Sequence, residues 1–271
     1  MAFHLRLSVS PDRPVAQSLP VLFYPNDEHD SLPMKAKHPT PAQRLRAMHD
    51  CLSQAYGPQH WWPAKTPFEV ILGAYLTQNT AWKAVERSLE NLERAGALTL
   101  EGIRALSIEK LRELIRPSGF VTRKAPAIKA FVALVDEEFA GSLKKTAAAP
   151  ADSLRTRLLA LPGVGPETAD AILLYAFGKA VPVADEYLRR IAERHRLLNP
   201  APVQNGRGYE ALTNLTRDAF AADPPGRRAE LYNEFHALVV AVGKAHCGRK
   251  PDCARCPLAG DLAENVEKAR G

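Results

Sequence analysis

A glycine-rich turn between two helical runs contains the first residues that point to chemistry. Its sequence is Leu-Pro-Gly-Val-Gly-Pro-Glu-Thr-Ala, residues 161–169. Gly163 and Gly165 tolerate backbone angles that other residues resist and let main-chain N–H groups approach a ligand, while Pro166 suits the first turn of the following helix. Because backbone donors at a helix N-terminus can bind phosphate, the segment predicts either an anion site or a plain turn.

All three tryptophans of the chain, Trp61, Trp62 and Trp82, fall within 22 residues. Tryptophans usually anchor a core or a loop, and their ring faces also attract delocalised positive charge. The cysteines are grouped as well: Cys51 stands alone, whereas the others, with five and two residues between them, are Cys247, Cys253 and Cys256. Such clustering favours metal or cluster ligation over a disulfide framework.

The elements that must position these residues are predicted to be helices. Apolar residues recur at spacings of three and four from residue 41 onward, and no stretch alternates as a strand would, so the fold class is all-α. Residues 1–40 lack any periodicity and are expected to be an N-terminal extension. Helical runs are expected at residues 43–54, 67–76, 81–94, 108–115, 123–139, 153–160, 166–177, 186–195, 209–220 and 228–244.

The turn at 161–169, the amphipathic helix after it and the tripeptide Val-Ala-Asp at 183–185 together resemble the signature of the endonuclease III (HhH-GPD) superfamily of DNA glycosylases. The similarity extends from about residue 44 to residue 262. It implies a helix-hairpin-helix at 161–169 and two helical lobes, with DNA and a flipped base in the cleft between them.

The resemblance also implies a division into domains. A six-helix domain is expected at 66–181, and it should contain the hairpin. A terminal domain should combine residues 41–65 with residues 182–271, including the cysteine-rich end.

In that superfamily the aspartate at the position of Asp185 is catalytic, and the eighteen-residue step from Glu167 to Asp185 equals the step between its two active-site positions. A fixed carboxylate can stabilise positive charge that develops on the sugar and can orient or deprotonate water. Members with lyase activity have a lysine at the position of Glu167, which forms a Schiff base. A carboxylate cannot, so the resemblance implies base removal without strand cleavage. Asp185 is also suited to cap a helix starting at Glu186, and Glu167 to the first turn of its own helix.

The run from Trp61 to Trp82 is similar to the MagIII-type 3-methyladenine glycosylases, in which aromatic residues at the positions of Trp61, Trp62 and Trp82 stack on the extruded base. Stacked rings suit cationic, alkylated purines. Gln78 matches the side chain that fills the gap left by the flipped nucleotide, with Asn79 beside it. Alternatively, this polar string simply ends the preceding helix.

Basic residues near these motifs are candidates for contacts with DNA phosphates, although single surface charges are usually just solvated. Besides the backbone of Gly163 and Gly165, the candidates are Lys83, Arg123, Lys124, Arg249 and Lys250.

The three grouped cysteines resemble the iron–sulfur loop of many endonuclease III relatives, in which four thiolates hold a [4Fe–4S] cluster. Leu262 stands where the fourth cysteine is expected, and the first spacing is one residue short. The loop could hold a cluster with an unusual fourth ligand, be degenerate, or hold zinc with the help of His246. Cys51 is a remote candidate ligand, and its apolar helix face favours a place in the core.

The bulk properties agree with a DNA-binding enzyme. The formal charge of +6 and the pI near 9.2 favour an anionic partner, and 46% hydrophobic with 24% charged residues argue against a disordered or fibrous chain. No apolar run approaches the roughly 20 residues of a membrane helix, and the N-terminus lacks a signal-peptide core, so a cytoplasmic monomer is expected.

These observations predict a monofunctional glycosylase of base excision repair that hydrolyses the N-glycosidic bond of damaged bases in duplex DNA, with alkylated purines of the 3-methyladenine kind as the expected substrates. One rival is a bifunctional enzyme for oxidised pyrimidines or mismatches, which the absence of lysine at position 167 disfavours. Another is a non-enzymatic DNA-damage binding module, which Asp185 beside an aromatic-rich segment disfavours.

Overall fold

The computed structural model describes residues 38–62, 64–199 and 206–262, so most of the extension expected at 1–40 lies outside it. Within these ranges there are helices and no strands, which confirms the all-α class, and no helix there is long and apolar enough to cross a membrane. The helices are α1 (Pro41–Tyr56), α2 (Pro67–Leu76), α3 (Trp82–Arg94), α4 (Leu100–Ala105), α5 (Ile108–Leu114), α6 (Val121–Phe139), α7 (Leu143–Ala148), α8 (Ala151–Leu159), α9 (Pro166–Ala171), α10 (Glu186–Arg194), α11 (Gly206–Ala219) and α12 (Arg228–Ala245). Short 3₁₀ turns occupy Arg116–Ser118 and Pro225–Arg227, and α9 continues as a π-helical turn, Ile172–Ala176.

Every predicted helical run is present, with its ends within three residues of the expected positions. Two six-residue helices, α4 and α7, were not predicted, so eight helices rather than six lie between residues 66 and 181. Each begins at a side-chain cap: Thr99 Oγ1 accepts a hydrogen bond from the Gly102 amide, and Ser142 Oγ accepts one from the Lys145 amide. Helices this short contain too few apolar positions to establish a period.

From Pro41 onward the chain forms one compact unit, in which the helices pack in two groups. In the first, α1 packs on α11 and α12, and α10 packs on α12. The second group contains α2 to α9, with α2 against α3, α6 and the π-helical turn. The groups meet where the π-helical turn contacts α12 and α9 contacts α11. The expected division into domains at residues 65 and 182 stays a prediction.

A buried carboxylate fixes α9 at this junction. Asp170 accepts hydrogen bonds from Arg155 Nε and Nη2 on α8, at 2.6 and 3.0 Å, and from the Tyr209 hydroxyl on α11, at 2.9 Å. The Asp170 side chain is only 1% exposed, so the ion pair with Arg155 holds a carboxylate charge that is shielded from solvent on nearly every side. Removing one partner of such a pair typically costs 3–5 kcal/mol, roughly, because a buried charge is left uncompensated.

Candidate active site

A cleft of about 950 Å³ opens where the two helix groups meet. Its walls come from the segment before α2, the loop after α2, the turn before α9 and the start of α10. The predicted site residues that line it are Trp61, Trp62, Trp82, Gln78, Asn79, Gly163, Gly165, Glu167 and Asp185. The structure therefore brings together the predicted catalytic pair, the aromatic residues and the hairpin.

Asp185 is both a helix cap and a wall of the cleft. Its Oδ1 accepts a 2.8 Å hydrogen bond from the Leu188 amide, which caps α10 as expected. Its Oδ2 lies 3.6 Å from Nε2 of His236 on α12. The side chain is 11% exposed, so this carboxylate is held from two sides and keeps a small surface toward the cleft.

Glu167 lies in the first turn of α9 and keeps a solvent-exposed surface within the cleft. The surrounding walls nevertheless displace water, and this burial, together with the negative charge of Asp185, raises the pKa of Glu167 to about 7. His236 acts in the opposite direction, and Glu186 adds a smaller upward contribution. The carboxyl groups of Glu167 and Asp185 therefore interact, as their expected placement in one active site requires.

Trp62 is the centre of an aromatic cluster on the cleft wall. Its ring makes edge contacts with Trp61 and Trp82, at centroid distances of 5.6 and 5.4 Å, and a tilted contact with Tyr175 at 5.3 Å. On α2, Gly73 makes room for it, because a Cβ at that position would lie 3.1 Å from Trp62 Cζ2. Trp82 also packs against the core, as expected of an anchoring tryptophan, whereas stacking of these rings on a base stays a prediction.

Two further residues of the cleft region were not predicted. Nδ1 of His236 shares a hydrogen bond with the Tyr175 hydroxyl, while its Nε2, which lies 3.6 Å from Asp185 Oδ2, has no hydrogen-bond partner. Tyr175 in turn contacts Trp62. A histidine on the buried face of an apolar helix gives no sequence signal that separates a site residue from a core residue, which is why His236 was missed.

The hairpin and the loop after α2 are joined by Gln78. Its Nε2 donates to the Gly163 carbonyl oxygen at 3.0 Å and to Thr168 Oγ1 at 2.9 Å. Gly163 has φ of +74°, a left-handed conformation that favours glycine, so the predicted turn geometry is present. Asn79, next to Gln78, is exposed with φ of +51°.

Lys124, offered as a phosphate contact, is buried and does not point to solvent. Its Nζ donates to the carbonyl oxygens of Leu76 and Ser118 and to Thr80 Oγ1, all within 2.9 Å. Burial lowers its pKa to about 8. The expectation that Lys124 contacts a phosphate is therefore wrong. Its amine instead donates to the last carbonyl oxygen of α2 and connects the loop of Thr80 to the loop of Ser118.

Neighbouring Arg123 is exposed and stacks over the Phe120 ring at 5.2 Å, and Phe120 itself is 51% exposed. Lys83, Arg249 and Lys250 are also exposed and lie outside the lining of the cleft. Their contacts with phosphates stay predictions.

The C-terminal cysteine loop, residues 247–262, follows α12, and its thiols are free. Arg194 Nη1 donates to Cys247 Sγ at 2.8 Å, and Arg190 Nε donates to the Cys247 carbonyl oxygen at 3.0 Å. Among the described residues, no three side chains of His, Cys, Asp or Glu are grouped so that they could hold one metal ion. The geometry therefore adds nothing in favour of zinc with His246, and a cluster bound through Cys247, Cys253 and Cys256 stays a prediction.

Comparisons with known proteins show the family of the chain. The model of the HhH-GPD superfamily of base excision DNA repair proteins matches residues 72–210, about half of the chain. A protein of Methanocaldococcus jannaschii assigned to the DNA repair glycosylases is 38% identical over 218 residues, which is 80% of this chain and 94% of that protein. The crystal structure of H. pylori 3-methyladenine DNA glycosylase (MagIII) bound to 1,N6-ethenoadenine aligns with a TM-score of 0.62 and 30% identity, covering 76% of this chain and 98% of that one.

A non-covalent endonuclease III–DNA complex, 22% identical, shares the fold with a TM-score of 0.65 and covers 85% of this chain and 99% of that one. The resemblances found in the sequence, to the superfamily and to its MagIII-type branch, are thereby confirmed. The chain belongs to the HhH-GPD superfamily of base excision DNA repair proteins and is a DNA N-glycosylase.

Proposed function

We propose that this DNA N-glycosylase is monofunctional and removes alkylated purines of the 3-methyladenine kind from duplex DNA. The observation that carries the proposal is the composition of the cleft, in which the carboxyl pair Glu167 and Asp185 faces the same space as the aromatic cluster around Trp62. The pair offers charge without an amine nucleophile, and the cluster offers ring faces to a flat cation.

In this proposal the damaged base leaves the duplex and enters the cleft beside the aromatic cluster. Ligand pockets commonly measure about 300–1,000 Å³, so a volume near 950 Å³ admits a base together with part of its sugar. Ring faces attract the delocalised positive charge of an N-alkylated purine more than a neutral base. The alkylated base is also a good leaving group, so modest assistance suffices.

Asp185 supplies that assistance. As the glycosidic bond breaks, positive charge develops on the sugar, and a carboxylate held by the Leu188 amide stabilises it without having to reorganise. The same carboxylate orients or deprotonates the attacking water. His236 acts as a positioning residue, because Tyr175 fixes one ring nitrogen while the other faces Asp185 Oδ2.

DNA would lie across the junction of the two helix groups, the two lobes expected from the sequence. The backbone amides of the hairpin and the exposed cations then contact phosphates. Gln78 would exchange its hydrogen bonds to the hairpin for a place in the gap left by the flipped nucleotide. Phe120 is exposed on the loop that contains Ser118, whose carbonyl oxygen accepts a hydrogen bond from Thr80. An apolar side chain in this position could wedge between bases.

The C-terminal cysteine loop is proposed to hold a [4Fe–4S] cluster through Cys247, Cys253 and Cys256. The Arg194 guanidinium, which donates to Cys247 Sγ, fits this group, because hydrogen bonds to cluster sulfurs are among the interactions by which proteins tune such clusters. The cluster would fix the conformation of the loop that displays Arg249 and Lys250, and no step of base removal uses it.

The proposal is tested by measuring base release from matched duplexes that contain 3-methyladenine, 1,N6-ethenoadenine, an oxidised pyrimidine or no lesion. We expect release of the alkylated purines and little from the others. Asp185→Asn should lower the rate by at least about 100-fold with nearly unchanged binding to damaged duplex, since charge stabilisation of this kind is typically worth that much.

Faster release of oxidised pyrimidines would overturn the substrate assignment in favour of the endonuclease III-like rival. Near-normal release by Asp185→Asn would overturn the catalytic assignment instead. Tight binding to damaged duplex with no release from any lesion would support a binding module.

A further inference from the structure

The cysteine loop is one ligand short of four by its own sequence, because Leu262 stands where a fourth cysteine is expected. The neighbouring residue anchors the loop in a different way. Asp261 accepts hydrogen bonds from Arg44 of α1 at 2.6 and 2.8 Å and lies 2.7 Å from Nδ1 of His195. The loop is therefore tied to α1, the helix that contains the remaining cysteine.

Cys51 contacts this loop directly. Its Sγ donates to the Pro257 carbonyl oxygen at 3.2 Å, one residue after Cys256. The amide of Cys256 in turn donates to the Cys253 carbonyl oxygen, so a turn brings these two cysteines together. The thiol of Cys256 interacts electrostatically with Cys51 as well as with Cys247 and Cys253. All four cysteines of the chain thus share one neighbourhood, although they are separated by up to 205 residues in sequence.

The polar groups around this neighbourhood suit an anionic, sulfur-rich group. The Arg194 guanidinium donates to Cys247 Sγ at 2.8 Å. The Tyr56 hydroxyl is buried, interacts electrostatically with Cys51 and Cys256, and has no hydrogen-bond partner. Buried polar groups are rarely left unsatisfied, so a donor next to thiols indicates an acceptor that belongs there. Hydrogen bonds to cluster sulfurs are among the interactions by which proteins tune such groups.

We propose that Cys51 is the fourth ligand of a [4Fe–4S] cluster, and that it replaces from α1 the cysteine missing at the end of the loop. Each thiolate of such a cluster binds a different iron, so the ligands stand farther apart than the ligands of one metal ion. In this arrangement the cluster connects α1 to the cysteine loop that follows α12. It rests on the cofactor part of the proposed function and is independent of the substrate assignment.

The test uses the full chain, produced with added iron and purified without oxygen. The wild-type protein should contain about four iron and four sulfide per chain, with a broad absorbance band near the blue edge of the visible range. Cys51→Ala should lower iron to about three per chain or fewer and alter the electron paramagnetic resonance spectrum. Cys253→Ala should lose iron similarly, and Gln54→Ala, an exposed position on the same helix, should not.

Circular dichroism distinguishes loss of a ligand from loss of the fold. Cys51→Ser adds a second variant, because a hydroxyl of similar size keeps the packing and should still change the spectrum. Full iron content with an unchanged spectrum in both Cys51 variants would overturn the proposal. Wild-type protein that contains zinc or no metal would also overturn the proposal. If that protein still releases damaged bases, the glycosylase assignment stands independently of the cluster.

Discussion

At the scale of single residues, the main feature of the candidate active site is the interaction between two carboxyl groups, those of Glu167 and Asp185. Glu167 lies in the first turn of a helix, where the helix dipole favours negative charge. Its pKa is nevertheless raised to about 7, so burial and the charge of Asp185 outweigh the dipole. Near neutral pH Glu167 is therefore protonated in part of the molecules, which reduces the repulsion between the two carboxyl groups.

This interaction makes the stability of the protein depend on pH. The ordinary pKa of Glu167 is 4.5, so between pH 4.5 and about 7 the folded state keeps a proton that the unfolded state has lost. The contribution of Glu167 to the free energy of unfolding therefore falls as pH rises through this interval and stays low above it. Glu167→Gln removes the free-energy cost of ionising this carboxyl group in the folded state. We expect its Tm to exceed that of the wild type above pH 7, and to match it near pH 4.5.

Solvent in the open cleft screens the charges, so the gain should be small, on the order of 1–3 °C. Calorimetry at pH 4.5 and pH 8 measures it, with Glu86→Gln, an exposed position on α3, as the matched control. A Tm difference between Glu167→Gln and wild type that is equal at both pH values would show that Glu167 keeps an ordinary pKa.

At the scale of elements, the C-terminal loop depends on one carboxylate. Burial opposes the charge of Asp261, but hydrogen bonds from His195 and Arg44 lower its pKa from 3.8 to about 2. The ionised form therefore stabilises the folded state at pH values above about 4, and this contribution disappears as pH falls through 2.

Asp261→Asn should consequently lower the free energy of unfolding by about 2 kcal/mol at pH 7. This is the energy to which a lowering of the Asp261 pKa from 3.8 to about 2 corresponds. The difference from wild type should shrink steadily below pH 4. Urea unfolding at pH 7 and pH 3 measures it, and Asp252→Asn, which pairs with the highly exposed Arg255, is a control with a smaller expected effect. An equal loss at both pH values would mean that Asp261 acts through packing rather than charge.

The elements also show what the sequence could predict. Periodic apolar residues determine long helices such as α6 and α12, so those were found, whereas α4 and α7 depend on one capping side chain each. The placement of Glu167 and Asp185 in one cleft was predicted because a motif fixes their spacing. The approach of His236 to Asp185 was not predicted, because it exists only where α12 packs beside the start of α10, a tertiary contact without a local pattern.

Lys124 was predicted to lie at the surface, but it is buried. A lysine next to Arg123 in a basic stretch suggests a solvated surface. In the fold its amine donates to the carbonyl oxygen of Leu76 at the end of α2 and to that of Ser118, which also accepts a hydrogen bond from Thr80 Oγ1. Composition alone does not contain that information, because the acceptors come from segments more than forty residues apart.

At the scale of the whole molecule, the question is which amine, if any, can reach the sugar of the flipped nucleotide. The amine of Lys124 is occupied by three oxygens, and Lys83 lies outside the lining of the cleft. Among the described residues, Lys244 is the one lysine in that lining, and its Nζ lies 5.8 Å from the centroid of the Trp61 ring. Its amine is thus on the aromatic wall, while position 167 holds a carboxylate.

We therefore expect the product to be an intact abasic site. Incubation with a duplex containing an alkylated purine should give strand breaks only after alkali, and borohydride should trap no protein–DNA adduct, because a carboxylate cannot form an imine. Glu167→Lys is the matched variant, since it places an amine beside Asp185 in the first turn of α9, where the positive end of the helix dipole lowers a lysine pKa. It should create weak trapping where the wild type has none. Efficient trapping by the wild type would contradict the monofunctional assignment, and its loss in Lys244→Ala would identify Lys244 as the nucleophile.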